Sequence, residues 1–84
     1  MREITLYGRS GCHLCDEARV VLERLRGELP FRLVERDITD EEALHRAYFD
    51  RIPVIVLDGH ELCEYVADEE LLRRELTVAT VEPT

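Results

Sequence analysis

The 84-residue chain has no apolar run that approaches membrane-spanning length. Its opening, Met1-Arg2-Glu3-Ile4-Thr5-Leu6-Tyr7, is too short and too mixed to read as a secretory signal. A cytoplasmic protein is expected. Positive charge is also scarce: 11 Lys+Arg against 19 Asp+Glu leave a formal net charge of -8. That balance repels nucleic-acid phosphates and anionic lipid alike, so neither partner is expected. The length suits one compact domain and no more, and no internal repeat or low-complexity segment divides it. Gly8 and Gly11 lack the spacing of a nucleotide-binding loop. Arg19 lies one position beyond what a Cys-x5-Arg phosphate-binding loop would require. A structural zinc site needs four ligands, but Cys12 and Cys15 have no second close pair, only the scattered His45, His60 and Cys63. No metal is expected.

What is present is strong periodicity. Ile4 to Tyr7 is a β-prone run ended by Gly8-Arg9-Ser10-Gly11, after which Leu14, Ala18, Val21, Leu22 and Leu25 mark one helical face that Gly27 and Pro30 close. Phe31 to Glu35 reads as a second strand, parallel to the first because a crossover helix joins them. Thr39 and Glu42 have capping-box spacing ahead of a short stripe of Ala43, Leu44, Ala47 and Tyr48. Val54 to Leu57 and His60 to Tyr65 flank Asp58-Gly59, a two-residue hairpin turn. Asp68, Glu69 and Glu70 place negative charge at the start of a last helix with Leu71, Leu72 and Leu76 on its apolar side. Arg73 and Arg74 are expected near its end. The domain is expected over residues 1–76, with 77–84 as a flexible tail containing Pro83.

Three cysteines without an export signal argue against a structural disulfide framework, so the Cys12-x-x-Cys15 pair needs its own chemistry. The pair stands where a strand's loop becomes a helix, which allows a disulfide within one turn and leaves the first sulfur open. Unpaired N–H groups and the positive end of the helix dipole favour a thiolate at Cys12. Cys12 is then the nucleophile on a substrate disulfide, and Cys15 resolves the mixed disulfide. His13 can tune the thiol, although a cationic imidazole is itself disfavoured at a helix start. Arg9 can steer an anion or simply be solvated, and Gly11 permits close approach of a partner backbone or serves the turn. Cys63, far from the pair in sequence, is expected to pack in the core.

From Ile4 to Leu76 this order of elements resembles the glutaredoxins, most closely small members in which Cys-His-Leu-Cys is followed by Asp-Glu-Ala, here Cys12 to Ala18. The resemblance implies an α/β, thioredoxin-like fold of βαβαββα order, a four-stranded mixed sheet with helices on both faces. It further implies that the Cys12 loop lies beside a cis Ile52-Pro53 bond, whose exposed Ile52 backbone can pair with an extended thiol substrate, with Arg51 adding an anion contact. Two positions depart from the better-studied members. His13 stands where proline follows the first cysteine, and Val66-Ala67 replaces the Gly-Gly of glutathione-using proteins, narrowing the approach for a tripeptide.

The expected activity is dithiol-disulfide exchange by a monomer on protein disulfides or small-thiol mixed disulfides. No resident cofactor is expected; glutathione as co-substrate, or a protein reductase, supplies electrons. The alternatives are a metal or iron-sulfur binding module using Cys12, and a thioredoxin-fold adaptor with idle thiols.

Overall fold

The computed structural model describes residues 2–78. The chain runs β1 (Glu3–Gly8), α1 (His13–Arg26), β2 (Arg32–Asp37), one 3-10 turn (Ile38–Asp40), α2 (Glu42–Tyr48), β3 (Val54–Leu57), β4 (His60–Glu64) and α3 (Glu69–Val78). Its strands form a single sheet in the order β2-β1-β3-β4. β1 and β2 are parallel from Glu3↔Arg32 to Gly8↔Asp37, as a crossover through α1 requires. The β1–β3 and β3–β4 pairs are antiparallel. The expected α/β, thioredoxin-like arrangement is the one observed.

Alternation along β1 sorts the two layers. Ile4 and Leu6 face a core completed by Ala18, Leu22 and Leu25 of α1, Ile55 and Leu57 of β3, and Leu72 and Leu76 of α3. Tyr7 points to the opposite face and stacks on Tyr48 of α2, ring centroids 4.7 Å apart. Arg24–Glu69 and Arg73–Glu28 ion pairs tie α1 and the turn that follows it to α3 along the solvent edge of the core. At the hairpin, Asp58 and Gly59 both take positive φ, 48° and 91°, which matches the twist of the strands they join. The Asp58 carboxylate accepts from the Glu3 N–H at 3.0 Å and from Arg2. The Arg2 hydrogen bond, more than any other contact, holds that carboxyl below its ordinary pKa.

Several local expectations are corrected. Leu14 is left about half exposed, and Cys15 takes its place on the inward face of α1 with Ala18, Leu22 and Leu25. The capping box at Thr39 does not form, because the Asp37 carboxylate claims both the Thr39 N–H and its hydroxyl and winds the 3-10 turn instead. α2 has no side-chain N-cap, and its apolar stripe is at most half-buried. Arg73 and Arg74 fall in the middle of α3, since that helix continues to Val78. Thr77 and Val78 thus belong to α3, and the rest of the expected tail, 79–84, lies outside the described residues.

Candidate functional site

The site forms where β1 ends and α1 begins. Gly11, with φ +78°, reverses the loop, and Cys12 follows in extended conformation as the N-cap of α1. Its sulfur accepts the Cys15 backbone N–H at 3.1 Å, and its carbonyl accepts from Asp16 at 3.1 Å. The helix start thus directs one of its orphan donors at sulfur. A disulfide joins Cys12 to Cys15 with their Cα atoms 5.2 Å apart. The two sulfurs have different surroundings: Cys12 is half-buried, whereas Cys15 is 1% exposed.

Gly8 explains where Cys15 fits. A Cβ built at Gly8 would stand 2.8 Å from the Cys15 sulfur, closer than any side chain tolerates, so glycine at the end of β1 makes the seat for that thiol. Opposite the same strand end, the β1–β3 register Tyr7↔Val54 places Pro53 next to Gly8. The Ile52–Pro53 bond is cis, as the resemblance implies, with Pro53 buried and Ile52 half-buried. The Tyr65 N–H reaches the Pro53 carbonyl at 2.8 Å, while its hydroxyl reaches the Asp50 carbonyl at 2.9 Å. A single residue at φ +72° therefore braces both ends of the loop that precedes β3.

The remaining expected residues are placed less centrally. Arg9 is exposed at the mouth of a cavity of about 510 Å³ that reaches Cys15 between α1 and β2. His13 is exposed, its Nε2 2.8 Å from Glu17 Oε2 one turn on. Arg51 is turned toward β4: its guanidinium meets Glu61 at 2.9 Å and Glu64 at 3.0 Å and lies over the Tyr48 ring. Those carboxylates, Glu61 foremost, raise its pKa above the ordinary arginine value. Arg51 thus anchors the loop ahead of Pro53, with its guanidinium engaged by these internal partners. Cys63 packs against the core from β4 but remains half-buried, and burial pushes its thiol pKa up.

Asp37 was not among the expected site residues. Paired with Gly8 in register, it accepts from the Thr39 hydroxyl at 2.6 Å and N–H at 2.8 Å, and the Ser10 N–H and Arg9 add further attraction. Its carboxyl pKa is lowered, chiefly by Thr39. It links the loop before Cys12 to the end of β2. An aspartate two residues before a threonine at a strand's end is a readable turn signal, but its link to Ser10 is not local. Among the described residues, no group of three or more His, Cys, Asp and Glu side chains is arranged to hold a metal ion. No helix among them is long and apolar enough to cross a membrane.

Comparison with known proteins places this geometry in context. The glutaredoxin-like domain family (DUF836) matches residues 3–77. An uncharacterized protein of Mycobacterium tuberculosis is 31% identical over 83 residues, covering 93% of this chain and 86% of its own. Among solved structures, protein Ne2328 from Nitrosomonas europaea superposes with a TM-score of 0.79 at 38% identity, covering 89% of this chain and 91% of that one. A mutant thioredoxin from Halobacterium salinarum NRC-1 superposes with a TM-score of 0.72 at 25% identity, covering 99% of this chain and 78% of that one.

Proposed function

The chain belongs to the glutaredoxin-like domain family, and from that premise we propose that it is a thiol-disulfide oxidoreductase reducing protein or small-thiol mixed disulfides. The observation that carries this reading is the asymmetry of the pair: a half-buried N-cap cysteine whose sulfur accepts a backbone N–H, disulfide-bonded to a cysteine buried against Gly8. In the dithiol state the Cys15 N–H and the helix dipole favour the Cys12 thiolate over the thiol. That thiolate attacks one sulfur of a substrate disulfide; the substrate S–S bond breaks, and the leaving thiolate takes a proton from solvent. The Cys15 thiol then loses its proton and attacks Cys12, closing the internal disulfide and releasing the second substrate thiol. Two electrons have passed from the dithiol to the substrate, and glutathione or a protein reductase returns them. Burial keeps Cys15 from reacting with substrate directly, so the order of attack follows from exposure.

Pro53 and the Ile52 backbone, at the same end of the sheet, support pairing with an extended substrate. The reading includes a cytoplasmic monomer with no resident cofactor. Equilibration in graded thiol–disulfide buffers tests it: one reversible two-electron transition is expected for the native chain and none for Cys12→Ser. Turnover by Cys12→Ser equal to that of the native chain would remove the proposal.

A further inference from the structure

The first two turns of α1 separate two unlike surfaces. On the β2 side lies the cavity bordered by Arg9, Arg19 and Arg36 together with several carboxylates. On the β4 side, Leu14 of α1 meets Tyr65 and Val66 across a small groove in which Glu17 is the acidic residue. Val66 continues that groove into a second depression that also carries Glu64 and Asp68. Leu14, Tyr65 and Val66 are 44%, 47% and 63% exposed, and large apolar side chains left together in water mark a contact surface. Among the described residues no arginine lines either depression. Arg51 compensates Glu64; the other acids of the two depressions are Glu17, paired with the exposed His13 one turn back, and Asp68, whose carboxylate accepts the Leu71 N–H at the start of α3, and neither is held by an arginine that lines the surface.

We propose that this acid-rimmed apolar surface beside Cys12 selects protein disulfides whose flanking residues combine an apolar side chain with Lys or Arg. The proposal rests on the redox reading above and names its substrate class. An apolar flank covers Leu14 and Val66, while a neighbouring cation meets Glu17 and Asp68 and is steered there by the chain's net charge of -8. Oxidised glutathione, with more carboxylates than ammonium groups, gains neither contact. The chemical step is unchanged: the Cys12 thiolate forms a bond to one substrate sulfur, and the other leaves as a thiolate.

The Cys15→Ser variant, which holds the mixed disulfide on Cys12, allows the rates to be compared. Three disulfides are offered in parallel at low ionic strength: a cystine peptide flanked by Leu-Lys-Lys, its counterpart flanked by Leu-Glu-Glu, and oxidised glutathione, with adducts counted by mass spectrometry. The cationic peptide is expected to be captured roughly tenfold faster than the acidic one. The advantage should shrink as salt is raised, and again when Glu17→Lys is added. Equal capture of the two peptides, or faster capture of the acidic one, overturns the proposal and leaves the redox reading standing. Absence of any adduct with all three overturns the redox reading and this inference with it.

Discussion

On the β2 side of α1, Arg19 is held by Asp16 and Glu35, and Arg36 by Glu41, whereas on the β4 side Leu14 and Val66 meet solvent with Glu17 and Asp68 at the rim. The first flank is internally satisfied: each of these cations has a carboxylate, and Asp37, paired in register with Gly8, is itself engaged by Thr39. The second leaves apolar surface uncovered and acids without an arginine lining the groove. Exposed ion pairs contribute little to stability but fix side chains in place, so the satisfied flank suits holding Cys15. Apolar area kept in water is unfavourable unless something covers it, so the unsatisfied flank suits recognition.

Variants on the two flanks should therefore fail in different ways. The largest effect is expected at the sulfur seat. Gly8→Val forces branched carbon into the Cys15 sulfur, destabilising the fold by about 1–3 kcal/mol and lowering the fraction of chains that close the Cys12–Cys15 disulfide. Urea unfolding and counting of alkylated thiols measure the two losses; a native-like disulfide and midpoint would contradict the seat. Next comes Val66→Ser on the other flank. Because Val66 is 63% exposed, stability should change by no more than about 0.5 kcal/mol. Specificity toward apolar-flanked protein disulfides should nonetheless fall roughly tenfold, the loss of one valine-sized burial.

A smaller effect is expected from Asp37→Asn. The folded state holds the Asp37 carboxyl below its unfolded value, chiefly through Thr39. Its stabilising contribution is thus fully present above about pH 4, where the unfolded carboxyl is ionised, and is lost as pH falls through the lower folded pKa. The variant should melt below the native chain at neutral pH, and the two should converge in strong acid; a gap that persists there would assign the loss to something other than charge. The smallest effect is expected at Cys63. Burial raises its pKa, so at neutral pH alkylation of the reduced chain should reach Cys12 well before Cys63, and Cys63→Ala should leave turnover unchanged.

Residues with local jobs were the legible ones. The hairpin at Asp58-Gly59, the α1 stripe from Ala18 to Leu25 and the placement of Cys12 at a helix start follow from spacing and backbone preference alone. The errors share a cause. Leu14 and Cys15 occupy adjacent positions on a helix, and their periodicity cannot say which one the sheet covers; the gap left by Gly8 decides for Cys15. Thr39 can serve a helix cap or an aspartate two residues earlier, and Asp37 wins because β2 carries it to the turn. The partners of Arg51 were illegible for a related reason, since the acids of β4 lie 10 and 13 residues away in sequence and meet it only once the hairpin has formed.

From sequence alone came the element order, the parallel first pair of strands and the placement of two cysteines one helical turn apart at a helix start. Each depends on forces that act within a few residues or on how much apolar surface the chain can bury. Only the folded sheet decided which sulfur is buried, which cations are already paired and which apolar residues remain uncovered. Those outcomes depend on groups brought together from distant parts of the chain, where distance and exclusion of water, rather than residue type, set the strength of every contact.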